Sequence, residues 1–153
     1  MNKLSVLARA GARGLVGAMM MTGARQLTTN LGLMEETPPE TMVNRVAPPA
    51  LKAVDRDTRS ALTELAHWAY GAVGGLGYGV LPARVRTSPA TGPLYGVAVW
   101  LAFEFGIAPA LGLRHPQGRV AGRVMLMLDH ALYGIVVADR FAPEEQVVAS
   151  RRS

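Results

Sequence analysis

Four apolar stretches, each about long enough to cross a bilayer, alternate with polar connections along this 153-residue chain. The pattern predicts helices over residues 10–34, 60–81, 92–113 and 119–139. A polar connection occupies 35–59, and the tail 140–153 is polar and expected to be mobile. The fold class predicted is all-α: one transmembrane domain, an integral membrane four-helix bundle.

The breaks between stretches have local causes. Thr37-Pro38-Pro39-Glu40 is a plausible helix start, and Thr41 to Val46 a short turn ended by Pro48-Pro49. Leu51 to Arg59 mixes charges and reads as a surface-lying segment. Pro82 closes the second stretch, Ser88-Pro89 turns the chain, and Arg114-His115-Pro116 separates the third from the fourth. Pro109 lies inside the third stretch, so a kink is expected near its far end. Arg9 and Arg13 interrupt the start of the first, which suits a cleaved signal peptide poorly.

Small residues recur at helical spacing. His67, Gly71, Gly75 and Gly79 fall on one side of the second helix, and Ala10, Gly14 and Ala18 form a stripe on the first. A bare glycine face lets another helix approach closely. Gly134 marks a similar place on the fourth helix, so the second and fourth are expected to pack centrally.

His67-Trp-Ala-Tyr70-Gly71 recurs as His130-Ala-Leu-Tyr133-Gly134, each with an acid close before the histidine (Glu64, Asp129). Gly17 and Arg25 also align with Gly96 and Glu104. Two repeated helical hairpins would account for both matches; chance in a glycine-rich chain would too.

Composition sharpens the membrane reading. Half the residues are apolar and only 18% are charged, against about a quarter in an ordinary soluble domain. The net charge of +5 is almost all arginine, Lys3 and Lys52 being the only lysines. These arginines flank apolar stretches instead of forming a basic patch within a nucleic-acid module, so no nucleic-acid partner is expected. With no cysteine, disulfides and thiolate metal sites are excluded. Eight basic residues fall on the side of the termini and seven, mixed with acids, on the other, a bias toward cytoplasmic termini.

Candidate chemistry lies in ionisable groups at membrane depth: Arg25, Glu64, His67, Glu104, Asp129 and His130, with Tyr70 and Tyr133 beside them. Such groups are costly in hydrocarbon and face a bundle interior or a wet cavity. Arg25 and Glu104, at similar depth on different helices, are the first pair expected, and Arg123 is expected to snorkel. An oligomer would help four short spans to shield six ionisable groups.

The set can fix helix register, or it can carry protons through His and carboxylates. Glu64-x-x-His67 also has the acid-x-x-His spacing of di-iron bundles, with Glu104 of a suitable type on the next helix. Arg25 and Met127 stand where that pattern wants acids, so no metal and no cofactor is expected. No nucleophile–base set or phosphate loop is present, and no enzymatic activity is expected.

The glycine-rich first span, Glu35-Glu-Thr-Pro-Pro39 and the His67-to-Gly79 stretch together resemble the YagU-like family of bacterial inner-membrane proteins. The resemblance implies a multi-pass inner-membrane protein, loosely associated with acid tolerance, and brings no active-site residues with it. The function expected is thus a non-enzymatic membrane protein with a buried His/carboxylate/Arg cluster that supports packing and proton sensing. The alternatives are a small proton-coupled transporter or channel, and a membrane metal-binding redox protein.

Overall fold

The computed structural model describes residues 3–32, 53–110, 112 and 120–138. Most of the 35–59 connection, the Arg114–Gly118 turn and the 140–153 tail lie outside them. Every regular element among the described residues is helical. In order they are α1 (Lys3–Asn30), α2 (Arg56–Val80), the single turn α3 (Ala83–Arg86), α4 (Thr91–Ala102), a π-helical turn (Phe103–Ile107), α5 (Ala108–Ala110) and α6 (Val120–Val137).

The ends are set by local chemistry. α1 closes on Gly32, whose positive φ of 69° lets its N–H reach the Thr29 carbonyl at 2.9 Å. α2 starts at Arg56 and so takes in part of the segment expected to lie on the surface. Asp55 is the reason: its carboxylate accepts the Thr58 N–H at 2.9 Å and caps the first turn. That bond also holds the Asp55 carboxyl below its ordinary pKa. α2 stops before Pro82, which would clash with another helical turn.

Where a kink was expected, the chain carries a π turn. Pro109 has no N–H to give the Phe105 carbonyl four residues earlier, and the chain widens just ahead of it. There the Ala108 N–H bonds the Phe103 carbonyl.

The helices pair as two hairpins, α1 with α2 and α4 with α6, and α1 joins them by packing on α6. The expected central pairing of the second and fourth helices is therefore corrected. The glycine face of α2 meets the small-residue stripe of α1: a Cβ on Gly14 would run into the Gly71 carbonyl, and one on Gly75 into Ala10. Gly79 packs on Ala10 as well. Gly134 lies against Gly92 and Gly96 of α4 just as tightly. Both His-x-x-Tyr-Gly segments thus place their glycine at the crossing inside a hairpin.

Tyrosines tie the hairpins together. Tyr133 donates its hydroxyl proton to the Gly71 carbonyl and Tyr95 to the Gly74 carbonyl, each at 2.6 Å. The rings of Tyr95 and Tyr78 meet edge to face at 5.2 Å.

Large apolar side chains face outward, among them Met20, Leu65, Val73, Leu94, Phe105 and Leu128. Thr22, Arg25, Thr63 and Glu104 are buried inside. Two helical segments, Lys3–Asn30 and Thr91–Ala110, are long and apolar enough to cross a membrane by length and composition. α2 carries four charged residues in its first nine positions, and α6 carries Arg123 and Asp129, which dilutes their apolar character.

Candidate functional site

Facing turns of α1 and α2 build the first polar cluster. Thr22 and Arg25 are three residues apart on α1, and Glu64, His67 and Trp68 occupy one stretch of α2, so each set shares a helix face. The Thr22 hydroxyl is the hub. It lies 2.6 Å from Glu64 Oε2, to which it donates, and accepts from Arg25 Nη2 at 3.0 Å and Trp68 Nε1 at 3.1 Å.

Arg25, only 5% exposed, bonds Glu64 Oε2 at 3.2 Å. Its Nη2 also lies 3.2 Å from His67 Nδ1. A guanidinium can only donate, so Nδ1 accepts and the ring proton belongs on Nε2.

The second cluster spans the other hairpin. Glu104 sits in the π turn, 2% exposed, and its Oε1 accepts from Arg123 of α6: Nη2 at 2.9 Å and Nε at 3.2 Å. The expected Arg25–Glu104 pairing is thus replaced: Arg25 bonds Glu64 and Arg123 bonds Glu104. Similar depth does not bring two groups together when they belong to different hairpins. Arg123, 35% exposed, bends onto this carboxylate where simple snorkelling was expected. The hairpins carry mirrored charges, Arg then Glu along the first and Glu then Arg along the second.

Between the helices lies a cavity of about 340 Å³, walled by α1, α2, α4 with its π turn, and α6. Seven of the eight candidate residues line it: Arg25, His67, Tyr70, Glu104, Asp129, His130 and Tyr133. Glu64 stands behind Arg25. The rest of the wall is mostly apolar, including Met21, Val99, Phe103 and Leu126.

His130 Nδ1 lies 2.8 Å from the Leu126 carbonyl. A carbonyl only accepts, so this ring carries its proton on Nδ1, the reverse of His67. Tyr133 spends its proton on a backbone carbonyl and acts as a strut.

Asp129 Oδ2 and Trp100 Nε1 are among the atoms buried at the wall that have no hydrogen-bond partner among the described residues. Trp100 was not among the expected site residues, and neither were Thr22 and Trp68. Their signal in the sequence was position, Trp100 four before Glu104 and Thr22 three before Arg25. Among the described residues, no three His, Asp or Glu side chains come together where a metal ion could be held. Comparison with family models, curated proteins and solved structures finds no match to this chain.

Proposed function

We propose that this chain is a four-span bundle of the bacterial inner membrane that takes a small, mainly apolar solute into the chamber between its helices. The observation that carries the reading is that chamber: about 340 Å³, mostly apolar, with a few convergent polar groups. Its size lies at the lower end of small-molecule pockets. The membrane setting is supported by large apolar residues outside and charges inside, the arrangement hydrocarbon favours. In this reading α2 and α6 complete the four spans, with Glu64, Arg123 and Asp129 partly sheltered and Arg56 and Asp57 at the exposed start of α2, and both termini are cytoplasmic.

The Arg25–Glu64 and Arg123–Glu104 pairs hold each hairpin in register. The protein is non-enzymatic, since the wall offers binding groups and no nucleophile–base pair. Lipid surrounds the bundle, and a homo-oligomer would cover more of its apolar surface. YagU-like membership is part of the proposal and fits a small multi-pass membrane protein.

The test is saturable binding of 1-adamantanol, a compact apolar probe, to the protein in phosphatidylcholine nanodiscs. Binding is expected in the wild type and lost in Val99→Trp, which fills the chamber, provided helicity is unchanged. Binding unaffected by this substitution would overturn the proposal.

A second reading, proton movement, is favoured by the two histidines. One chamber is lined by a ring protonated on Nε2 (His67) and a ring with Nε2 open (His130), a donor and an acceptor. Proton flux into vesicles with a trapped pH dye would then vanish in folded His67→Ala and Glu104→Gln proteins. Flux no greater than in empty vesicles would remove this reading.

A further inference from the structure

Within the chamber the ionic groups balance except at one point. Arg25 closes on Glu64 and Arg123 on Glu104, so four formal charges sum to zero. Asp129, on α6, is left over. Its Oδ2 is buried and without a donor among the described residues. A buried carboxylate oxygen without a donor is costly, and a charged N–H is the donor that compensates it best.

The surrounding wall suits a cation with an apolar body. Tyr70, Trp100 and Phe103 line the chamber with aromatic surface, to which ammonium groups are attracted. The indole N–H of Trp100 is also buried and has no acceptor among the described residues, so an oxygen on the same solute would satisfy it.

We infer that the chamber is a site for an amphiphilic ammonium ion: its N–H donors meet Asp129 Oδ2, its apolar body fills the aromatic wall, and an acceptor oxygen meets Trp100 Nε1. The inference rests on the solute-binding reading above and names the solute's chemical class. An anion of the same shape is disfavoured by the Asp129 carboxylate, and both guanidinium groups near the chamber already close on carboxylates. Free amines and lipid amine headgroups share this chemistry.

Four probes of one shape separate the possibilities: 1-adamantanamine, 1-adamantanol, 1-adamantanecarboxylate and 3-amino-1-adamantanol. Each is titrated against the full chain in phosphatidylcholine nanodiscs. The amine is expected to bind about tenfold or more tighter than the alcohol, with the carboxylate weakest. Asp129→Asn should weaken the amine more than the alcohol and so remove the amine's advantage, while Asp129→Glu keeps part of it. The amino alcohol should exceed the amine in the wild type and lose that gain in Trp100→Phe.

Alcohol or carboxylate binding as tight as the amine would overturn the inference yet leave the chamber as a solute site. Binding of none of the four would sink the solute-binding reading itself. The wild-type series decides the matter even if Asp129→Asn fails to fold. Adding phosphatidylethanolamine to the nanodiscs distinguishes the source: competition with the amine identifies a lipid headgroup, and its absence identifies a free amine.

Discussion

Glu104 takes two hydrogen bonds on a single carboxylate oxygen from Arg123, across the gap between a π turn and the neighbouring helix. The acid is fully enclosed and the base is not. Removing the base therefore does more harm than neutralising the acid, because an unpaired carboxylate would be left buried.

Arg123→Ala is accordingly expected to destabilise the fold by about 3 kcal/mol or more. Glu104→Gln, which keeps an acceptor oxygen, should cost about 1–2 kcal/mol. The Glu104→Gln/Arg123→Ala double variant should recover part of the larger loss. Thermal unfolding in micelles checks this double-mutant cycle, and strictly additive losses would contradict the pairing.

Gly14, Gly75 and Gly96 let helix backbones touch, so alanine at any of them must push a hairpin apart. Each is expected to cost about 1–3 kcal/mol. Gly23 has nothing within 4 Å of its missing Cβ, and alanine there should stabilise α1 by up to about 1 kcal/mol. Melting temperatures of the four variants give the contrast.

The Thr22 hydroxyl joins Glu64, Arg25 and Trp68. Thr22→Val should cost about 1–3 kcal/mol and move the Trp68 indole N–H resonance upfield, whereas Thr22→Ser should preserve both. The Trp100 indole signal should stay in place in either variant, since Trp100 belongs to another part of the wall.

Asp55 supplies a pH-dependent contact outside the spans. Its carboxyl titrates below the usual range because the ionised form accepts the Thr58 N–H. The cap's contribution is present above the unfolded-state pKa of about 3.9 and lost as pH falls through the depressed folded value. The Thr58 amide resonance is expected to follow that titration in the wild type and to be pH-insensitive in Asp55→Asn. A midpoint at or above the ordinary aspartate value would contradict the cap.

The helices themselves were legible because apolar stretches and prolines mark them directly. Their partners were not. The glycine face at 71, 75 and 79 announces a close neighbour, but nothing in its spacing says whether that neighbour is α1 or α6. The same limit applies to Arg25, whose depth matches Glu104 while its hairpin partner is Glu64. The π turn was foreshadowed only by Pro109, which signals a missing donor and leaves open how the helix adapts. The cavity required the side chains of four helices at once, so Trp100 and Asp129 could not be seen as a pair of orphaned atoms from their positions along the chain.

The most direct test uses the absence of native cysteine. Val99→Cys lines the chamber, while Leu101→Cys, two residues on and 41% exposed, lies on the apolar exterior. In nanodiscs, a small charged thiol reagent from the aqueous phase is expected to modify position 99 and spare position 101. A lipid-dissolved maleimide should modify position 101. Equal reaction of both cysteines with the aqueous reagent would contradict a membrane bundle with an interior chamber.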